Sequence, residues 1–216
     1  MITLRRIICC ILSGLSLSSC SAVGSPATQR VIRVKVLGDV SLRARNSRWI
    51  EEVRGLVEAA SDYYEREFGL RLVTHSVSPW PLQERIRATP DLLAKLQNDF
   101  PKAGNHHYDL VIAFTAEGIS RYQRAGRPRV DRIGNCQQGL GSYVVVPVSR
   151  VLHYGGAHND LELEVIALIH EMGHIFGAEH VNDLDSIMHE DFGYRTEFDA
   201  KNRAVIERNK LCRFAK

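Results

Sequence analysis

The chain contains no internal repeat and no low-complexity run, which excludes a repeat array and leaves a single ordinary globular unit. It also has no charge excess of one sign. Lys and Arg number 28 against 25 Asp and Glu, a formal balance of +3 over 216 residues, and nothing in that balance points to nucleic acid. Long hydrophobic runs are missing too. The one apolar stretch, Ile7 to Leu17, is too short to span a bilayer. Cysteine is scarce, with five in all.

What is present begins at the N-terminus, where Arg5 and Arg6 precede the apolar stretch and Leu17, Ser18, Ser19 and Cys20 follow it. That order predicts an export signal. The tetrapeptide resembles a bacterial lipobox, which implies cleavage after residue 19, acylation of Cys20 and a lipid anchor in a membrane. Ser21, with no Asp after the cysteine, implies the outer membrane. Cleavage after Ala22 is the alternative, giving a periplasmic or secreted protein. Loss of Arg5 and Arg6 takes the +3 down by two, to +1. The expected division is a signal over 1–19, a polar tether over 20–30 and one domain over 31–216.

Within that domain, Val31 to Leu37 is rich in β-branched residues with Arg33 and Lys35 interleaved, as in a strand. Ile50, Val53, Val57, Ala60 and Tyr64 carry a helical period through Ser47–Phe68, and Gly69 stops it. Leu70 to Val77 reads as a second strand, Leu82 to Leu96 as a helix, Tyr108 to Thr115 as a buried strand and Ser142 to Val148 as a fourth. Glu197 to Leu211 reads as a closing helix. The expected fold class is therefore α/β (α+β).

The most informative segment is HEMGHIFGAEH, in which His170, Glu171, His174, Gly177 and His180 have the spacing HExxHxxGxxH. Residues four apart on a helix share a face, so His170 and His174 can hold one ion, with Glu171 beside them as a general base. A straight helix would lift His180 about 9 Å beyond His174, at 1.5 Å per residue, out of reach of that ion. Gly177 supplies the turn, because a residue without Cβ adopts positive φ at low cost. Asn159 and Glu162 read as a cap pair for this helix. Leu161, Val165, Leu168 and Met172 form its apolar stripe, and Leu163, Ala167, His170 and His174 a separate ligand face.

With Ser186, Ile187 and Met188 eight residues on, the segment resembles the metzincin clan of zinc endopeptidases, whose signature is this motif followed by a methionine turn. The resemblance implies a mixed, mainly parallel twisted sheet, a long N-terminal helix, a zinc-binding helix and a C-terminal helix. It implies one catalytic Zn2+ on His170, His174 and His180. Met188 would lie under the histidines without binding the ion. The short spacing is like that of matrixins, but Val181 stands where matrixins carry Ser and adamalysins Asp. Glu190 occupies the position of the tyrosine found in astacins and serralysins, so a tyrosine fifth ligand is not expected. Tyr194 is a candidate for steadying an oxyanion or a plain packing residue. Ser142–Val148 is either the edge strand of the cleft, able to pair with an extended peptide, or an interior strand.

With Cys9 and Cys10 in the signal and Cys20 acylated, Cys136 and Cys212 remain and read as a disulfide in an oxidising compartment. Adamalysin-type metzincins have a comparable bridge. The rival is Cys136 as a thiolate covering the metal, although the matrixin PRCGxPD pattern is absent. Arg121, Arg124, Arg127, Arg129 and Arg132 form either a solvated loop or a surface favouring acidic substrate segments or a phosphate-bearing surface. His106, His107, His153, His158 and His189 lack any metal-ligand spacing, His189 being notable only for its place beside Met188. The function expected is a zinc endopeptidase acting on a polypeptide substrate, as a monomer. The alternatives are a non-proteolytic zinc-binding surface lipoprotein and a zinc hydrolase of a non-peptide bond.

Overall fold

A computed structural model describes residues 29–82, 86, 89–101, 107–116, 128–148, 160–191, 193 and 195–215, with the side chains of 160–162 left out. The signal, Cys20, most of the tether and the Asn159–Glu162 cap lie outside the described residues.

β1 (Arg30–Gly38) is followed by α1 (Val40–Arg45) and the long α2 (Trp49–Phe68). The alternation in β1 sends Ile32, Val34 and Val36 to one face of the sheet, where α2 covers them with Val53, Leu56, Val57 and Tyr64. Gly69 ends α2 at φ 67°, as its place after the periodic run predicts. α1 has no periodic signal, being only six residues long. Its start is fixed instead by Asp39, whose carboxylate accepts from the Leu42 N–H at 2.8 Å.

The chain then forms β2 (Leu70–Pro79), α3 (Thr89–Asp99), β3 (Leu110–Thr115), β4 (Arg129–Val130) and β5 (Tyr143–Pro147). The expected helix over Leu82–Leu96 is displaced. Leu82 and Ile86 are not helical, and the helix begins at Thr89 with Pro90 in its first turn, where the missing N–H does no harm. The sheet order is β2-β1-β3-β5-β4, parallel except for β4, which pairs antiparallel with β5 through Arg129–Val145 and Val130–Val144. This order corrects one of the two readings of Ser142–Val148. The segment is interior, because the two-residue β4, too short to be anticipated, takes the outer edge.

β3 is buried on both faces. Leu110, Ile112 and Phe114 meet the α2 side, and Val111 and Ala113 join Trp80, Leu92 and Leu96 on the α3 side. α4 (Asp160–Ile175) packs on the α2 side, where the Tyr64 hydroxyl donates to the Ile169 carbonyl at 2.8 Å. α5 (Ala200–Asn209) starts on Asp199, whose carboxylate accepts from the Asn202 N–H at 3.0 Å. Cys136 and Cys212 are joined with Cα atoms 5.1 Å apart, linking the loop before β5 to the segment after α5. Among the described residues, no helix is long and apolar enough to cross a membrane.

Candidate active site

α4 places His170 and His174 one turn apart with their rings edge to face, centroids 4.8 Å apart. The ligand face is buried along with the apolar stripe, since every residue from Ile166 to Phe176 is buried. Both ligands come from within the core, 2% and 7% exposed, and His180 is the exposed member of the set. Gly177 has φ 97°, and the chain reverses there. A Cβ at Gly177 would also lie 2.4 Å from the Gly134 carbonyl oxygen and 2.7 Å from Asn209 Nδ2. Glycine is needed here for conformation and for close approach alike.

The reversal brings three Nε2 atoms together. His170 and His174 are 3.2 Å apart, His170 and His180 3.2 Å, and His174 and His180 3.1 Å. Main-chain carbonyls decide the tautomers. His170 Nδ1 donates to the Ile187 carbonyl at 2.6 Å and His174 Nδ1 to that of Ala178 at 2.7 Å. A carbonyl only accepts, so both Nδ1 atoms carry the proton, and in the neutral rings both Nε2 atoms present lone pairs. Burial lowers the His174 pKa to about 4, which keeps that ring neutral. Lone pairs facing one another at such distances repel unless a cation lies among them. Tetrahedral zinc with nitrogen arms of about 2.0–2.1 Å calls for nitrogens roughly 3.3–3.4 Å apart. The donor set fits one zinc ion.

Glu171 Oε1 lies 4.0 Å from His170 Nε2, and the side chain is almost fully buried. Burial raises its pKa to about 8, against the positive charge of Arg129, which lowers it. A dication on the three histidines acts in the same direction as Arg129. Met188 is fully buried. Its sulfur approaches Gly173 so closely that a Cβ there would stand 2.8 Å from Sδ. The methionine turn thus underlies α4, and Val181 N–H donates to the Met188 carbonyl at 3.1 Å to close the intervening loop.

Several contributors escaped sequence reasoning. The Ile187 and Ala178 carbonyls are main-chain groups and carry no side-chain signal. Arg129 was visible only as one of a cluster, of which Arg121, Arg124 and Arg127 lie outside the described residues. Tyr64 counted as an apolar position, whereas its hydroxyl holds α4. Asp199 links the turn to α5 by accepting from the Ser186 hydroxyl at 2.8 Å.

Other expected candidates fall elsewhere. His189 Nδ1 accepts from the Asp191 N–H at 3.0 Å, and His107 stacks on His75 at 6.3 Å. Tyr194, His106, His153 and His158 lie outside the described residues. Among the described residues, His170, His174 and His180 form the one cluster of His, Cys, Asp or Glu able to hold a metal.

Residues 28–206 match the model of metallo-peptidase family M12. No curated protein matches. Among solved structures, archaemetzincin from Methanopyrus kandleri is similar over 88% of this chain and 98% of its own, with 19% identity and a TM-score of 0.55. A chaperone–substrate complex includes a chain similar over 83% of this one and 33% of its own, at 12% identity and a TM-score of 0.54. At such identities the likeness concerns the fold, and it is the metzincin one that sheet order and methionine turn display. Three convergent histidines, two of them buried and held by carbonyls at Nδ1, within a matched span of this length leave one assignment: the chain belongs to metallo-peptidase family M12 and is a zinc metalloendopeptidase.

Proposed function

We propose that this peptidase cuts extended polypeptides with Glu171 as its general base, outside the cytoplasm, as a monomer held to a membrane through lipid on Cys20. The observation that carries the catalytic part is the make-up of the metal cluster. It has three histidines and, among the described residues, no fourth ligand, whereas a structural zinc site is closed by four. A buried carboxyl beside such a set has no use in a merely structural site. This favours an enzyme over a zinc-stabilised surface lipoprotein.

Zinc, when bound, supplies Lewis acidity, lowering the pKa of water and stabilising a developing oxyanion. Glu171 takes the proton of the attacking water and returns it to the leaving amine. The Ile187 and Ala178 carbonyls hold His170 and His174 in the tautomers that present Nε2. β4, the outermost strand among the described residues, offers main-chain groups to an extended substrate, a mode of binding that does not depend on side chains. The anchor is supported by the lipobox-like Leu17–Cys20.

Incubating the zinc-loaded protein with an unbiased peptide library, with and without chelator, tests the activity. Cleavage at internal bonds that disappears with chelator is expected; an intact library would refute the reading. Labelled palmitate incorporation into wild type but not Cys20→Ser tests the anchor.

A further inference from the structure

Two buried asparagines on α5 lie seven residues apart, on one face of the helix. Asn202 Nδ2 donates to the Glu179 carbonyl at 2.9 Å, and its Oδ1 accepts from the Glu179 N–H at 3.0 Å. One side chain thus takes up both main-chain groups of the residue immediately before His180. Asn209 Nδ2 donates to the Phe176 carbonyl at 2.9 Å, immediately before Gly177. The segment from Phe176 to Glu179, which carries the chain from the second ligand to the third, is therefore pinned at both ends to a helix that supplies no ligand.

His170 and His174 sit on a buried helix and donate to carbonyls from Nδ1. His180 lies on an exposed stretch after a positive-φ turn, so the path of its main chain contributes to its aim. Asn202 is itself oriented, since its Nδ2 also donates to the Asp199 carboxylate at 2.8 Å.

We propose that Asn202 and Asn209 are positioning residues for the zinc centre: α5 holds the 176–179 turn through their amides, and so aims His180 at the ion. The inference rests on the zinc reading of the triad but not on which bond the enzyme cuts. Each bond is to a main-chain group of the turn, so truncating either side chain loosens the turn while removing no ligand residue.

The test is zinc affinity, by competition with a chromogenic chelator, and the visible spectrum of the cobalt(II)-loaded protein. Wild type, Asn202→Ala, Asn209→Ala and Ser61→Ala are compared, with Tm of each metal-free protein as the measure of fold. Ser61 is the control, because it bonds the Leu72 carbonyl and N–H in the same two-way manner, on α2 and β2. Zinc affinity is expected to fall about 10–100-fold in Asn202→Ala, the range for groups that orient ligands. Asn209→Ala should lose affinity in the same direction, both cobalt spectra should change, and Ser61→Ala should keep wild-type affinity despite a lowered Tm. Wild-type affinity and spectra in both asparagine variants would overturn the proposal. So would an equal loss in Ser61→Ala, or failure of both asparagine variants to fold while Ser61→Ala folds, since the role would then be general stability. A wild-type protein that binds no zinc would refute the metal centre itself, a separate outcome.

Discussion

His170 Nδ1 donates to the main-chain carbonyl of Ile187 at 2.6 Å, so the residue before Met188 fixes the tautomer of the first metal ligand. The methionine turn thus contributes a hydrogen bond as well as an apolar floor, and any side chain at position 187 can provide it. What the site needs from the turn is its placement, which Ser186 and Asp199 secure.

Replacing Glu171 with Gln keeps the size of the side chain and removes its basicity. Peptidase kcat should fall by at least about 100-fold, within the range general-base catalysis contributes, while bound zinc stays at one per chain by elemental analysis. Undiminished turnover in a zinc-loaded preparation would exclude Glu171 as the base.

Removing zinc leaves three imidazole nitrogens within 3.2 Å of one another. An ion present at a thousand times its Kd stabilises the fold by about 4 kcal/mol, so a chelator should lower Tm by roughly 10 °C. Re-addition of zinc should restore both Tm and activity in a calorimetric titration.

Gly177 and Gly55 make an internal comparison. Ala at 177 must adopt φ 97° and meets the Gly134 carbonyl, so a loss of about 1–3 kcal/mol or more and weaker zinc binding are expected. Nothing lies within 4 Å of a Cβ at Gly55, inside α2, so Gly55→Ala should stabilise by about 0.5–1 kcal/mol. Urea denaturation of the two variants checks the opposite signs.

Asp199 predicts an acid limb of stability. Burial opposes its ionisation, but bonds from the Asn202 N–H, the Ser186 hydroxyl and the Asn202 amide outweigh burial and lower its pKa. A depressed folded pKa means that the stabilisation is complete above the unfolded value, about 3.9, and is lost as pH falls through the folded value. In Tm measurements on the metal-free protein, Asp199→Asn should be less stable than wild type at pH 6, with the gap narrowing below pH 4. A gap that widens on acidification would contradict this sign.

The elements legible in the sequence are those whose signal is local and repeated. α2 shows its period over five turns and its glycine stop, and β1, β2 and β3 their β-branched runs. α1, with one turn and a half, and β4, with two residues, are too short to display a period. β5 was recognisable as a strand, but its interior place was not, because sheet order depends on which distant segments pair. The helix before β3 starts at Thr89, seven residues later than its period predicts, since the apolar residues Leu82 and Ile86 extend that period without being helical.

At the site, the identity of the metal ligands and the turn glycine, and the proposal of Glu171 as base, followed from HEMGHIFGAEH alone, because an ion's demand for donors imposes a spacing along one stretch of chain. Tertiary structure decided what readies those donors. Carbonyls of Ile187 and Ala178 set the tautomers, burial and Arg129 set the ionisation of Glu171, and Asn202 and Asn209 hold the turn before His180. The hydrogen bonds among these join residues up to 33 apart, from Phe176 to Asn209, and each ends on a main-chain group that carries no side-chain signal. Spacing therefore specified the chemistry, and only packing could specify its orientation.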